Sequence, residues 1–163
     1  METRKRIKDV LQMQASDESI VVKGWVRTIR GQGISFIDLS DGSCLKPLQI
    51  VVLPENNLDL SDVKTGASLK VVGRLVESKG SEQSVDLEAD EITIIGKSDP
   101  GKYQMQPKRH SLEHMRDYSH LRMRTDLFGS VFRIRDKASY AIHKFFQERE
   151  YFYTHTPIIT GSD

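Results

Sequence analysis

The chain has 163 residues, with 24 lysines and arginines against 23 aspartates and glutamates, for a formal charge of +1. That balance excludes a histone-like polycation while leaving room for a local basic surface, and 37% hydrophobic residues suit one ordinary globular domain with an appendage. One cysteine, Cys44, excludes an internal disulfide framework; no CxxC or paired His/Cys spacing points to zinc, and no apolar run is long enough to span a bilayer. Met1 is followed by ETRKRIKD rather than an apolar signal segment, so the expectation is a reduced, soluble, cytoplasmic protein.

In chain order, Arg4–Gln14 predicts a short helix, with Ile7, Val10 and Leu11 forming one apolar stripe. Its basic run, Arg4, Lys5, Arg6 and Lys8, reads either as a solvated helix face, the simpler account, or as a contact to a phosphate backbone. Ala15–Ser19 is a polar connector. Ile20–Arg30 then reads as the first strand, in which Gly24 marks a bend or bulge of the kind that turns the corner of a small barrel. Trp25 is a core or rim residue, and Arg27 and Arg30 lie past the bend, near the tip of the first hairpin. After the turn Gly31-Gln32-Gly33, the strand Ile34–Leu39 alternates, with Ile37 and Leu39 on one face and Ile34, Phe36 and Asp38 on the other. A turn at Asp41-Gly42 leads to Leu48–Val52, which points Leu48, Ile50 and Val52 inward and Gln49 outward. Phe36 and Gln49 thus share the wetter face of a curled sheet.

Pro54–Lys64 is expected to be a loop with a short helical turn, followed by a turn at Thr65-Gly66. The strand Ser68–Glu77 sets Leu69, Val71, Gly73 and Leu75 on one face. Ser78–Ser84 is a hairpin loop, and Val85–Ile95 is the fifth strand, with Val85, Leu87 and Ala89 alternating with Asp86, Glu88 and Asp90. Five strands, a long bent first one and a helical insert between the third and fourth predict a mainly β fold, the five-stranded OB-fold barrel. A β-sandwich, the main competitor, has more strands. OB barrels commonly bind single-stranded nucleic acid through stacking rings, a basic rim and polar edge readers. Phe36 is then the candidate platform, Gln49 and Asp86 the candidate edge readers, and Arg27 and Arg30 the candidate phosphate or base contacts. The competing structural reading covers Phe36 with a loop and leaves the polar residues facing water; parity defines a face, not a ligand.

Ser98–Gln106, with Pro100-Gly101 and then Pro107, breaks the strand pattern and marks a linker. Beyond it Lys108, Arg109, Arg116, Arg122, Arg124, Arg133 and Arg135 outweigh the local acids. His110, His114 and His120 match no standard metal spacing and read as polar hinge residues. Asp126 is the expected N-cap of a long helix in which Leu127, Val131, Ile134, Ala138, Ala141, Ile142 and Phe145 recur at three- and four-residue steps, ending near Glu150. Tyr151–Thr160 reads as an aromatic, β-branched strand that Pro157 confines to an edge or an interface. One helix and one strand cannot bury this much apolar surface alone, so they need more chain or a second subunit, with Phe145, Ile142 and Pro157 in a dimer contact. The expected division is 1–97 for the barrel with its lead-in helix, 98–125 for the hinge, and 126–163 for the incomplete start of a second domain; the chain reads as the front end of something larger.

GWV in the first strand, SFIDLSDGSCLKPLQIVV, QPKRHSLEHMRDYSHLRMRTDLFGSVFRIR and FFQEREYFYTHTPIITGSD together resemble the asparaginyl-tRNA synthetases over nearly the whole chain. The GWV and FIDLSDG pieces alone indicate only the class IIb group shared with the aspartyl and lysyl enzymes. DGSCLKPLQ, RHSLE…HLRMRT and HTPIITGSD resemble the asparaginyl member, and the helix ending in FFQERE with the segment around Pro157 is similar to class II motif 1, a dimer-interface element. The resemblance implies an OB domain that reads the tRNA anticodon, a hinge, and an α+β catalytic domain built on an antiparallel sheet. It implies that the complete protein is a homodimeric ligase that activates asparagine with ATP and Mg²⁺, releases pyrophosphate and charges tRNA(Asn). It also implies a base stack for Phe36, contact with the central anticodon uridine for Gln49, and a role for the acidic Asp86. Glu150 stands where the family usually has glycine, so the helix either ends without a left-handed cap or forces Glu150 into that conformation. Motifs 2 and 3 fall beyond Asp163, so no residue is assigned to catalysis, and the chain alone is expected to be inactive and to hold no metal or cofactor. Two other readings compete: a free-standing OB-fold single-stranded nucleic-acid-binding protein with a helical dimerisation tail, and an interaction module that uses the fold without RNA.

Overall fold

The computed structural model describes residues 3–80, 83–159 and 161. Its strands are β1 (Ser16–Arg30), β2 (Ser35–Ser40), β3 (Leu48–Val52), β4 (Ser68–Glu77) and β5 (Val85–Gly96), closed into a barrel in the order β1-β2-β3-β5-β4. The β3–β5 pairing is parallel and the others are antiparallel. The alternation expected of the sequence is the alternation of burial: Ile37, Leu39, Leu48, Ile50, Leu69, Val71 and Leu87 have essentially no accessible surface. Their outward neighbours stay partly exposed, as the period of two in a strand requires, with Asp86 beside Leu87 the buried exception.

Closure demands that β1 serve two partners. Its first part pairs with β4 and its last part with β2, and Trp25 lies opposite both Ser68 and Ser40 at the handover. Gly24 stands beside that point because a Cβ there would lie 2.7 Å from the Ser40 carbonyl oxygen. The bulge expected at Gly24 is displaced: the register shifts between Val26 and Thr28, around Arg27. Trp25 is a rim residue, 43% exposed.

The predicted helix Arg4–Gln14 shrinks to α1 (Ile7–Val10), because β1 claims the backbone before it. Arg4 forms a parallel bridge with Val21, and the Lys5 N–H donates to the Val21 carbonyl at 2.8 Å. Residues 16–19, expected to connect, extend β1 instead. The basic run is largely spent on ion pairs, Arg4 with Asp41, Lys5 with Glu18 and Arg6 with Asp9. Asp41 is the clamp that holds α1. It accepts from Arg4 Nη2 at 3.0 Å, from the Ile7 N–H at 3.1 Å, and from the Ser43 N–H and hydroxyl at 2.9 and 2.5 Å. Burial pushes the Asp41 carboxyl up, but those donors, the Ser43 hydroxyl foremost, outweigh it and hold the group below the usual carboxylate value.

After the barrel come α2 (Leu112–Asp117) and α3 (Asp126–Gln147). The N-cap of α3 is Thr125 rather than Asp126: the Thr125 hydroxyl accepts from the Phe128 N–H at 3.4 Å, and Asp126 is the first helical residue. The start of α3 docks on the barrel. Asp126 pairs with Arg27 at 2.8 Å, Arg133 Nη2 donates to the Gly42 carbonyl at 2.5 Å, and the buried Gly129 lies close against Leu45. At the other end Glu150 takes φ 64°, the left-handed alternative for that position. The Tyr151 N–H donates to the Phe146 carbonyl and the Glu150 N–H to the Gln147 carbonyl, a Schellman ending, with the Phe146 and Tyr151 rings 5.5 Å apart. The strand expected at Tyr151–Thr160 is not formed. Residues 151–159 run without ladder bonds, because a strand exists only beside a partner and the described residues offer none; Thr160 itself lies outside them. Part of the Ser78–Ser84 loop also lies outside them. No described helix is long and apolar enough to cross a membrane.

Candidate nucleic-acid interface

The barrel's outer face gathers its chemistry through register. In the β2–β3 pairing Asp38 lies opposite Gln49 and Phe36 opposite Val51; in the β1–β2 pairing Thr28 lies opposite Asp38 and Arg30 opposite Phe36. The parallel β3–β5 contact, with Ile50 beside Leu87, brings Asp86 next to Gln49. The result is one hydrogen-bonded row. Arg30 donates through Nη1 to Asp38 Oδ2 at 2.9 Å and through Nη2 to Gln49 Oε1 at 2.7 Å. Gln49 Nε2 donates to Asp86 Oδ2 at 3.2 Å, Gln83 Nε2 to Asp86 Oδ1, and the Thr28 hydroxyl to Asp38 Oδ2. The Arg30 guanidinium carbon is 5.9 Å from the centroid of the partly exposed Phe36 ring. A ring face, a cation and a fixed amide therefore stand side by side, the set of groups that stacks a base, meets its backbone and reads its edge.

Of the five residues singled out in the sequence, Phe36, Gln49, Asp86 and Arg30 meet here. Arg27 does not. The bulge at its position reverses the parity of β1, so its guanidinium reaches Asp126 and the Leu45 carbonyl, at 2.8 and 3.4 Å, on the side where α3 docks. Asp86, expected simply to alternate outward, is 4% exposed. Three members of the row do not stand out from the sequence. Asp38 was already on the right face, and opposition to Gln49 was the available signal. Thr28 was hidden by the bulge, and Gln83 sits in a loop that carries no periodicity.

Elsewhere a cleft of about 620 Å³ lies between the barrel, residues 103–110 and the start of α3. Within it Arg124 lies over the Trp25 ring at 4.9 Å. The His110 and His114 rings stack at 4.7 Å; among the described residues no three histidine, cysteine or acidic side chains gather as a metal site. The residues expected at a dimer contact are uncovered, Phe145 at 49% and Ile142 at 59%, and Pro157 is exposed as well.

Residues 20–95 match the tRNA anti-codon family, described as an OB-fold nucleic acid binding domain. The barrel is an OB-fold. The whole chain is 52% identical to the asparagine–tRNA ligase of Parabacteroides distasonis, over 36% of that protein. It is 48% identical to the asparagine–tRNA ligase of a Nostoc species, with 98% of the chain aligned to 35% of that protein. The chain thus spans little more than a third of the length of the curated relatives it matches, and the alignments run past the barrel over nearly all of the chain. Among solved structures, asparaginyl-tRNA synthetase from Pyrococcus horikoshii superposes on 98% of the chain with a TM-score of 0.79 at 17% identity, using 39% of that protein. Aspartyl-tRNA synthetase from Entamoeba histolytica covers 95% of the chain with a TM-score of 0.74 at 15% identity, using 39% of its own length. At those identities the likeness speaks for the fold.

Proposed function

We propose that this chain is the anticodon-reading part of an asparagine–tRNA ligase. Residues 1–97 form the anticodon domain, 98–125 the hinge, and 126–163 the opening, motif 1, of a class II catalytic domain. The observation that carries the reading is the Phe36 ring beside the Arg30–Gln49–Asp86 row on the outer face of an OB-fold. Phe36 stacks an anticodon base, Gln49 meets the edge of the central uridine, and Arg30 holds Gln49 while lending positive charge to the face. Arg27 ties β1 to α3 and is not counted among the RNA contacts. Identity of about 50% over alignments that cover all or nearly all of the chain favours this reading over a free-standing OB-fold binder, which would account for the barrel only.

The complete protein would charge tRNA(Asn) with asparagine, using ATP and Mg²⁺ and releasing pyrophosphate, in the cytoplasm and as a homodimer that covers the apolar side of α3. The donor set described here does not fit a nucleotide–metal site. Arg122 and Arg124 are engaged with ring faces, Arg27 with Asp126 and Arg133 with the Gly42 carbonyl, and among the described residues no cluster of three acidic, histidine or cysteine side chains could hold a metal. No step of the activation chemistry is assigned to this chain. The test is binding of the purified chain to a tRNA(Asn) transcript and to the same transcript with its anticodon replaced. Preference for the first is expected, and equal affinity for the two would defeat the reading.

A further inference from the structure

A glutamine amide is by itself an ambivalent reader. Its oxygen accepts and its nitrogen donates, and a half-turn of the end group exchanges the two. It can therefore pair with an amino pyrimidine as well as with a keto one, whose edges present donor and acceptor in opposite order. Gln49 is denied that freedom. It lies between Arg30, which can only donate, and Asp86, whose carboxylate can only accept, so its oxygen must face Arg30 and its nitrogen Asp86. A flipped amide would set N–H against guanidinium and oxygen against carboxylate, losing both bonds. Each holder is itself held. Arg30 is anchored by Asp38, which also accepts from Thr28, and the buried Asp86 receives Gln83 on its second oxygen. One N–H and one lone pair of Gln49 remain for a ligand, in a fixed order.

We infer that Asp86 and Gln83 are positioning residues that lock the Gln49 amide, so that the face accepts uridine and rejects cytidine at the base it reads; this rests on the anticodon reading above. The rejection works through mismatch: cytidine would oppose donor to donor or acceptor to acceptor at groups that cannot rearrange. Removing Gln83 frees one carboxylate oxygen and lets Asp86 shift. Replacing Asp86 by its amide removes one of the two holders, because an asparagine can turn together with Gln49, and leaves only Arg30 to oppose the flip.

The experiment uses the 163-residue chain and two hairpin RNAs that differ only in uridine or cytidine at the centre of the anticodon. Affinities are read by fluorescence anisotropy, with a melting curve on every sample. The wild-type chain is expected to prefer the uridine hairpin by about tenfold or more, the scale of one well-matched edge contact. Asp86→Asn should lower that ratio several-fold, chiefly by tighter binding of the cytidine hairpin, with Arg30 keeping part of it, and Gln83→Ala should lower it by less. A merely structural role for either residue would weaken both hairpins alike and leave the ratio unchanged. An unchanged ratio in whichever of the two variants folds overturns the lock, and Gln83→Ala, at a half-buried position outside the strands, keeps the test available if Asp86→Asn does not fold. A folded wild-type chain that binds both hairpins equally well also overturns it. Binding to neither hairpin would instead remove the anticodon reading, and the lock with it.

Discussion

The barrel and α3 are built from the same apolar residue types at equally regular spacing, yet one buries them and the other does not. In the barrel, Ile37, Leu39, Ile50 and Leu69 meet across a closed sheet and are sealed from water. Along α3, Leu127, Val131, Ile134, Ile142 and Phe145 remain between 46% and 69% exposed, because only the first turns of the helix touch the barrel. A period of two on five strands supplies its own partner, since the sheet curls back on itself. A period near four on a single helix names a face without supplying what covers it.

The sharpest way to break that contrast is a matched pair of truncations. Leu39→Ala should cost about 2–5 kcal/mol in chemical denaturation, the usual range for a fully buried leucine. Ile142→Ala in the same dilute chain should cost no more than about 0.5 kcal/mol, as at an ordinary surface position. Equal losses would mean that α3 is covered after all. The complementary change, Ile142→Glu, should weaken self-association seen by sedimentation at high concentration without lowering barrel stability; unaltered association would count against α3 as the contact.

A smaller effect tests the clamp that ties α1 to the barrel. Asp41 is held below its ordinary carboxylate value of 3.8, so its contribution is full above about pH 4 and is lost as pH falls through the lower folded value. Asp41→Asn should therefore cost about 1–2 kcal/mol near neutrality, the loss of charge-assisted bonds to Arg4 and the Ile7 N–H. It should also flatten the acid side of a melting-temperature profile, and a profile as steep as that of the wild type would assign the acid sensitivity elsewhere. Smallest is the end of α3. Glu150 occupies a backbone conformation that costs a residue with a side chain about 1 kcal/mol relative to glycine. Glu150→Gly should slow hydrogen exchange in the last turn of α3 while leaving the main unfolding transition in place.

The same contrast decides what could be read from the residues. The bounds of β3 and β4 and the inward sets of β2, β3 and β4 follow from alternation, because burial on one face leaves little choice of register. Three features needed information that is not local. The stripe of Ile7, Val10 and Leu11 looks helical over eleven residues, but the bridge from Arg4 to Val21 straightens the chain before Ile7. Gly24 marks a bulge that would set Arg27 beside Arg30; the shift lies instead at Arg27, where β1 changes partners. Tyr151–Thr160 has strand composition, and composition cannot provide a neighbouring strand. At the interface, parity placed Phe36 and Gln49 together, but that the Gln49 amide is fixed emerges only when Arg30 and Asp86 arrive from two other strands.

The central claim is that the outer face of the barrel binds an RNA loop through Phe36. It is tested by measuring melting and anticodon-hairpin affinity on one sample of Phe36→Ala. Binding should weaken by about 1–3 kcal/mol, the value of one base–aromatic stack, with the melting temperature close to that of the wild type because the ring is not part of the sealed core. A loss of about 3–5 kcal/mol of stability, as for a buried phenylalanine, with affinity unchanged in the folded fraction, would contradict it.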